Sequence, residues 1–347
     1  MEKVDFLIVG QGIAGSILAV KLMDAGYSIK IINEEKQEIS SLKAGGIYNP
    51  ITGRKMVKTW LADELFLNLE SFYQELEIKL SARFIYPMPI YRMFGSYEEQ
   101  NDWSIKISEP GYKQFVEEMK GKSIGLNGVK DEFGGLMLKK CGYVNVPDLL
   151  TACRNFFIHK GVYHSEVFEY NELTVGVGIN YKNLKADKVI FCEGPEANKN
   201  PFWKDLPFRL VKGETLEIIT ELPEDMIVNK GVFILPKEGR YTVGATYDHN
   251  HLDHTPSEKG IKNLEERLRK IYGGEYQFVK AKAGVRPATF DRRPFIGFHR
   301  EQPAVGVFNG FGSKGVSLIP YFAEQLVNYL RGDGDLMPEV DITRVTK

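Results

Sequence analysis

A glycine-rich turn near the start of the chain constrains the fold more than any other feature. Residues 6–9 are four apolar side chains in a row and predict a buried strand. Three glycines follow at G-x-G-x-x-G spacing: Gly10, Gly12 and Gly15. A helix is predicted over 13–25 and a second strand over 29–32. This order of strand, turn, helix and strand is the context in which the spacing marks a dinucleotide-binding turn.

Each glycine has a physical role in such a turn. Gly10 allows the tight reversal, and Gly12 lets a pyrophosphate approach the main chain because no side chain intervenes. Gly15 lets the helix pack closely on the strand. The free N–H groups at the helix N-terminus then favour the negative phosphates. A glycine turn without a ligand is the alternative, and the complete surrounding unit favours the dinucleotide.

The residue that binds the ribose is left open between two positions. An acidic residue about 20 positions after the turn usually holds the ribose hydroxyls. Here the second strand ends at Asn33, whose neutral amide can bond a hydroxyl, and Glu34 follows directly.

Composition excludes several classes of protein. The formal net charge is −1 over 347 residues, which argues against a nucleic-acid or acidic-membrane partner. The three cysteines are odd in number and show neither CxxC spacing nor a zinc-binding pattern. This usage suits a reducing, cytoplasmic compartment. The apolar N-terminal run carries the glycine turn instead of a signal peptide, and no apolar stretch reaches the ~18 residues of a membrane span. We expect a cytoplasmic enzyme with a small-molecule partner.

Helical segments with buried strands alternate with strand-rich segments along the chain. This alternation predicts an α/β plus α+β protein, in which a Rossmann-like dinucleotide domain is interleaved with an antiparallel-sheet substrate domain. The predicted dinucleotide domain comprises 1–80, 141–206 and 284–347. The predicted substrate domain comprises 81–140 and 207–283.

Other stretches are ambiguous on their own. Small residues and paired glycines at 44–46 fit either backbone against a flat ring or a flexible loop. The apolar stripe over 60–80 predicts a core-facing helix. Histidines and aspartates over 248–254 offer metal-ligand types, but a polar loop before a helix favours a solvated segment, and no metal site is predicted.

Seven ordered segments together resemble the D-amino-acid-oxidase-type flavoenzymes, which include glycine and sarcosine oxidases. The segments are GQGIAG, AGGIYNP, ADKVIFCEG, VKGE, VGATYD, GVRPATFDRRPFIG and NGFGSKGVSLIP. They cover nearly the whole chain. GATYD and GFGSKG are most similar to the oxidase domain of the bifunctional enzyme that matures 5-methylaminomethyl-2-thiouridine in tRNA, whose methyltransferase half has no counterpart here.

The resemblance implies FAD as the cofactor. No cysteine or histidine arrangement for covalent attachment is evident, so we expect dissociable FAD. The resemblance places the FAD contacts at the glycine turn, the ribose position, the paired-glycine segment and the loop that opens the C-terminal helix. The implied residues are Gly10, Gly12, Ile13, Ala14, Gly15, Asn33, Glu34, Lys43, Ala44, Gly45, Gly46, Val167, Gly194, Gly312, Ser313, Lys314, Gly315 and Val316.

The resemblance also implies the substrate residues. An arginine at the position of Arg286 anchors a carboxylate in amino-acid oxidases of the family, and a structural ion pair is the alternative. Lys314 either points inward to the flavin or is a solvated loop lysine. A tyrosine expected before the VGAT segment is absent, because the strand carries Phe233 instead. Tyr247 or Tyr48 is the substitute hydroxyl, which puts glycine itself in doubt as the substrate.

These features predict an FAD-dependent enzyme that oxidises the C–N bond of a small amine or amino acid to an imine. Arg286, Lys314 and Tyr247 are the predicted catalytic set. Either oxygen or another acceptor reoxidises the flavin, and the oligomeric state is open. The alternatives are a tRNA oxidase that removes a carboxymethyl group from a modified uridine, a nicotinamide-dependent dehydrogenase, and a catalytically weak flavin-binding protein.

Overall fold

A computed structural model describes residues 1–35, 39–53 and 57–345. Its strands are β1 Glu2–Val9, β2 Ile29–Asn33, β3 Ile47–Tyr48, β4 Ile51–Thr52, β5 Val57–Lys58, β6 Ile85–Pro87, β7 Ile90–Met93, β8 Val116–Lys120, β9 Gly135–Leu138, β10 Gly142–Val144, β11 Tyr163–Ser165, β12 Leu173–Val175, β13 Ile179–Tyr181, β14 Leu184–Phe191, β15 Val211–Ile219, β16 Ile227–Lys230, β17 Val232–Lys237, β18 Arg240–Gly244, β19 Gln277–Arg286, β20 Phe295–Phe298 and β21 Val305–Asn309. Its α-helices are α1 Ile13–Asp24, α2 Ala62–Leu65, α3 Leu69–Leu80, α4 Tyr97–Lys106, α5 Pro110–Lys113, α6 Val146–His159, α7 Glu258–Ile271 and α8 Gly315–Arg331.

An eight-stranded mixed sheet forms one half of the molecule, and five of its strands run parallel in the order β11-β2-β1-β14-β21. The strands β12, β13 and β20 join it through antiparallel pairs. Val9 pairs with Ile32 on one side and with Phe191 on the other. The carboxyl ends of the parallel strands therefore meet at one edge, where open α/β sheets bind their ligands. The helix α1 connects β1 to β2, as the glycine turn predicts.

Apolar packing explains why this sheet is buried on both faces. Leu7 and Ile8 on β1 are fully buried on opposite faces. The helix α1 is buried along most of its length and packs against α6 and α8. On the other face, the ring of Phe168 stacks on Tyr181 at 4.5 Å and meets Phe191 edge-on at 5.5 Å.

An eight-stranded sheet forms the other half, with the order β19-β15-β18-β17-β16-β7-β9-β8. Its pairs are antiparallel except β16 with β7. The amphipathic helix α7 covers one face, where Leu264 and Leu268 pack with Leu216 and Val243. Alternate residues of β15 and β19 face the opposite way, so Arg286 and Gly213 lie on the face that α7 leaves uncovered. The two sheets confirm the predicted fold class.

The apolar stripe predicted over 60–80 is divided between two helices. The short helix α2 ends at Leu65, and α3 begins after Asn68. Leu65, Leu69 and Tyr73 are nevertheless buried, so the stripe belongs to the core as predicted. Among the described residues, no helix is both long and apolar enough to cross a membrane.

Candidate cofactor and substrate site

The glycine turn after β1 leaves no room for side chains at two of its positions. Gly10 has a φ of +98°, and a Cβ there would lie 2.7 Å from the carbonyl oxygen of Cys192. A Cβ on Gly15 would lie 1.9 Å from the carbonyl oxygen of Gly10. The turn is therefore tight, and α1 packs closely against it, as the glycine spacing predicts.

The N-terminus of α1 receives no cap from its own N-cap residue, and the N–H of Ile13 donates a long hydrogen bond to the hydroxyl of Ser41 at 3.4 Å. Gly12 is its N-cap, and the first turn, which begins with Ile13 and Ala14, has no acidic residue. By contrast, α4 and α7 are capped by the hydroxyls of Ser96 and Ser257 and carry glutamates in their first turns. The positive end of α1, which has no acidic side chain in its first turn, fits an anionic phosphate.

The helix α8 begins in the same way. Its N-cap is Lys314, its first turn from Gly315 and Val316 has no acidic residue, and no side chain caps it. In the preceding loop, Gly312 has a φ of +56° and donates from its N–H to the carbonyl of Pro287 at 3.1 Å. Ser313 is exposed. This loop therefore brings a second positive helix end close to the strand that carries Arg286.

Asn33 stabilises the glycine turn directly. Its Oδ1 accepts a hydrogen bond from the N–H of Gln11 at 2.8 Å. Its Nδ2 donates to the carbonyl of Glu34 at 3.1 Å and to the hydroxyl of Tyr163 at 3.2 Å. Because the amide is used in this way, the exposed Glu34 at the end of β2 is the better candidate for the ribose hydroxyls.

Two further predicted contacts lie at the carboxyl edge of the parallel strands. Val167 follows β11 and is 49% exposed, and its neighbour Glu166 donates from its N–H to the carbonyl of Asn33 at 3.2 Å. Gly194 follows β14 with a φ of +58°, and its carbonyl accepts from Nδ2 of Asn309 at 2.8 Å. The glycine turn, the ends of β11 and β14, and the segment before α8 therefore all lie at the carboxyl edge of the parallel strands.

Glu193 is a titratable group at this edge that the sequence did not single out. Its carboxylate accepts from the Tyr170 hydroxyl at 2.5 Å and from Nδ2 of Asn200 at 2.7 Å. Burial raises the pKa of Glu193 to about 7 despite these donors, and the nearby Glu196 adds to the shift. Burial of a carboxyl that has no cationic partner among the described residues explains the direction.

We expect Glu193→Gln to stabilise the protein at pH 8 and to leave its stability at pH 5 almost unchanged. The carboxyl loses its proton near pH 4.5 when unfolded and near pH 7 when folded, so wild-type stability falls as the pH rises through that interval. Above pH 7, the free energy of unfolding of Glu193→Gln should exceed that of wild type by an amount on the order of 3 kcal/mol. Melting temperatures of both proteins at pH 5 and pH 8 test this. Equal differences at both pH values would show that Glu193 is not protonated in the fold.

The segment around the paired glycines packs tightly against the antiparallel sheet. The hydroxyl of Ser40 donates to the carbonyl of Val285, and Lys43 covers Gly284, whose Cβ would lie 3.0 Å from that of Lys43. A Cβ on Gly45 would lie 3.2 Å from the ring of Phe233, and one on Gly46 would lie 1.9 Å from the carbonyl oxygen of Val144. Ala44 is exposed between them. These contacts favour a fixed backbone over a flexible loop.

Arg286 lies with its guanidinium flat against Gly213, where a Cβ would lie 1.9 Å from Nη2. Its Nη1 donates to the carbonyl of Thr246 at 3.2 Å, and the ring of Tyr247 lies 4.7 Å from its Cζ. No ion pair between described residues includes Arg286, and burial lowers its pKa. The geometry therefore gives no support to a structural ion pair and leaves a desolvated cation for an external anion.

The three aromatic candidates lie in different surroundings. The Phe233 ring packs over both Gly45 and Gly244, so it fills the space between the two halves. Tyr48 has 0% exposure, and its hydroxyl donates to Glu70 at 3.1 Å. Tyr247 is 66% exposed and contacts Arg286. Of the two substitute tyrosines, only Tyr247 is brought together with the arginine.

Lys314 points into the protein. Its Nζ donates to the hydroxyls of Thr52 and Thr59 at 3.2 and 3.1 Å. Burial lowers its pKa to about 8, and the charges of Arg292 and Arg293 add to the shift. No ion pair between described residues neutralises it. Thr52 and Thr59 carried no sequence signal for this contact, because they come from a distant hairpin.

The histidine-containing loop is held by ordinary contacts. Nδ1 of His251 lies 2.9 Å from Asp248, and the Asp253 carboxylate lies 2.7 Å from Nζ of Lys212. Within the ranges that the structure describes, no group of three ligand-type side chains could hold a metal ion.

The family model described as FAD dependent oxidoreductase matches residues 5–329. The chain therefore belongs to this family. Its members use FAD, so the protein is an FAD-dependent oxidoreductase and not a nicotinamide-dependent dehydrogenase. The two helix ends without acidic first turns and the crowded glycine turn fit this cofactor.

Among curated proteins, the chain is 22% identical to glycine oxidase from Pseudomonas aeruginosa, with 94% of each chain covered. It is also 22% identical to the tRNA 5-methylaminomethyl-2-thiouridine biosynthesis bifunctional protein MnmC from Marinobacter nauticus. That alignment covers 93% of this chain and 54% of the relative, so the chain spans about half of that bifunctional protein.

Solved structures share the fold. Glycine oxidase from Geobacillus kaustophilus superposes with a TM-score of 0.76 at 20% identity over 98% of both chains. Iminodiacetate oxidase from Chelativorans superposes with a TM-score of 0.76 at 17% identity, with 96% and 97% of the two chains covered. At these identities the likeness establishes the architecture alone.

Proposed function

We propose that this enzyme oxidises the C–N bond of a small amino acid to an imine, which water then hydrolyses. One observation carries the proposal: Arg286 is a partly buried cation without a described carboxylate partner, next to the exposed Tyr247. A guanidinium binds a carboxylate through two parallel hydrogen bonds. The glycine and iminodiacetate oxidases among the similar proteins act on such compounds, which supports this class of substrate.

The residues of the chain would position the substrate. Thr246 holds one nitrogen of the Arg286 guanidinium through its carbonyl, which fixes the orientation of the fork. The Tyr247 ring packs against the same group and restricts its rotation. FAD supplies the acceptor for the hydride when it is bound. No general base is required if the amine binds in its neutral form.

The same proposal assigns roles to the cofactor residues. The pyrophosphate would be held by the glycine turn, at Gly10, Gly12, Ile13, Ala14 and Gly15. The ribose would be held by Glu34, and the adenosine half would contact Val167 and Gly194. The flavin ring would be surrounded by the fixed segment Lys43, Ala44, Gly45 and Gly46 and by the loop residues Gly312, Ser313, Lys314, Gly315 and Val316. The division into 1–80, 141–206 and 284–347 against 81–140 and 207–283 follows from these roles, with β19 crossing the boundary at 284.

Lys314 and the N-terminus of α8 would stabilise negative charge on the reduced ring. We expect Lys314→Met to weaken the affinity of the oxidised flavin for sulfite, an anion-forming adduct, by about fivefold, or roughly 1 kcal/mol. Because Lys314 is charged below its pKa of about 8 and neutral above it, the difference from wild type should disappear as the pH rises above 8. A pH-independent difference would assign Lys314 a purely structural role.

Anaerobic flavin reduction tests the proposed function. Glycine, sarcosine, other N-alkyl amino acids and D-amino acids are mixed with the holoenzyme, and loss of flavin absorbance is followed. At least one carboxylate-bearing amine should reduce the flavin, and its decarboxylated analogue should react far more slowly. Failure of every amino acid would contradict the proposal.

The similarity to MnmC supports one alternative, a tRNA oxidase that removes a carboxymethyl group from a modified uridine. The net charge of −1 opposes it, because polyanion binding normally needs a basic face. A gel shift with bulk tRNA at low salt distinguishes the tRNA oxidase from the amino-acid oxidase.

A catalytically weak flavoprotein is a further alternative, which is suggested by Phe233 in place of a tyrosine. Photoreduction followed by aeration tests whether the flavin of the protein reoxidises.

A further inference from the structure

A cavity of about 380 Å³ lies between the segment 198–210 and the loop after β18. Its floor is apolar, with Leu206, Phe208 and Leu210. Its open rim is cationic or polar and is formed by the exposed residues Lys204, Arg209, His249 and Asn198. None of these polar residues has a role in the proposed oxidation.

The basic groups of the cavity, Lys204, Arg209 and His249, form no ion pair within the part of the chain that the structure describes. Nδ1 of His249 lies 3.0 Å from the carbonyl oxygen of Leu210, and a carbonyl only accepts, so Nδ1 carries the proton. Nε2 is then an acceptor and does not contribute positive charge. The permanent cations of Lys204 and Arg209 create the positive potential that favours an anion.

The backbone around the cavity is held in place. The N–H of Arg209 donates to the carbonyl of Ala288 at 2.7 Å, and the N–H of Phe290 donates to the carbonyl of Pro207 at 3.1 Å. The Phe208 ring packs edge-on against Phe295 at 5.2 Å. These contacts fix the apolar floor before any ligand arrives, which reduces the entropic cost of binding.

We propose that this cavity is a binding site for a small aromatic phosphate monoester. The two cations Lys204 and Arg209 match the double negative charge of a phosphate monoester better than the single charge of a carboxylate. The floor of Leu206 and Phe208 suits the ring of such a compound. The cavity is distinct from the substrate anchor, although Ala288, which holds the backbone of Arg209, is two residues from Arg286.

Calorimetric titration of the FAD-loaded protein with phenyl phosphate tests the site. We expect saturable binding of one equivalent, with inorganic phosphate binding more weakly because it gains nothing from the floor. The double variant Lys204→Gln/Arg209→Gln should weaken binding at least tenfold. Lys199→Gln is the matched control, because Lys199 is a nearby exposed lysine paired with Glu196 at 2.7 Å. It should bind as wild type does.

The affinity of the variant Arg286→Lys for phenyl phosphate distinguishes this site from the proposed amino-acid site. Unchanged phenyl phosphate affinity in Arg286→Lys supports a distinct cavity, whether or not the amino-acid oxidation is correct. Loss of affinity in Arg286→Lys, or wild-type affinity in the double variant, would overturn the proposal. Equal affinity for phenyl phosphate and inorganic phosphate would overturn the role of the floor. Binding of oligouridylate without binding of phenyl phosphate would indicate a nucleic-acid surface and also overturn it.

Discussion

Gly12→Val is expected to yield folded protein that does not retain FAD. Gly12 is the N-cap of α1 in an extended conformation, with φ −76° and ψ −168°, which valine adopts without strain. A Cβ there would lie 3.2 Å from the hydroxyl oxygen of Ser41, so the fold can accept it with a small shift. The added methyl groups, however, occupy the space over the helix N-terminus that a pyrophosphate needs. The flavin-to-protein ratio after purification measures the effect.

Gly334→Val provides the matched control for the cofactor prediction. Gly334 lies after α8, and a Cβ added there would have no atom within 4 Å. This variant should carry as much FAD as wild type, and circular dichroism should show both variants folded. Full FAD content in folded Gly12→Val would remove the glycine turn from the cofactor site. FAD released from wild type by acid or heat would establish that it is bound without a covalent link.

Arg286→Lys is expected to lower kcat/KM for a carboxylate substrate by about tenfold or more. The substitution keeps the charge and loses the planar fork, and a charge-assisted hydrogen bond contributes roughly 1.5–3 kcal/mol. Lysine also cannot reproduce both the contact with Thr246 and a bidentate contact with substrate. Steady-state kinetics at sub-saturating substrate measures the loss as a difference in transition-state stabilisation.

The decarboxylated analogue of the same substrate serves as the control for Arg286. It never uses the fork, so its much slower turnover should change little in Arg286→Lys. FAD content should equal that of wild type, because we propose that the arginine binds substrate and does not contact the cofactor. Equal losses for acid and analogue, or loss of FAD, would make Arg286 structural and place the carboxylate anchor elsewhere.

Local patterns made much of the fold predictable. The helix α1 begins at Ile13 as predicted and ends at Asp24, one residue before the predicted end, because glycines mark both of its boundaries. The glycine turn was predictable because its spacing is contained in six consecutive residues, although Asn33 and Cys192 also contact it in the fold. The strands β1 and β14 are both apolar and both end shortly before a glycine, and they pair in parallel.

Contacts between distant segments were not predictable from one sequence. Asn33 has the sequence position of a ribose ligand, yet its amide holds the backbone of Gln11. Tyr48 offers a hydroxyl, but that hydroxyl donates to Glu70. The partners of Lys314 and the raised pKa of Glu193 depend on residues that meet only in the fold. Spacing along the chain carries no signal for such encounters, whereas strand and helix periodicity does.

A single anaerobic turnover tests the central claim most directly. Holoenzyme is mixed with one equivalent of the amino acid that reduces its flavin, and both products are quantified after quenching. C–N oxidation predicts one equivalent of carbonyl product and one equivalent of amine or ammonia for each flavin reduced. Flavin reduction without release of an amine would contradict the account, because the bond oxidised would then not be a C–N bond.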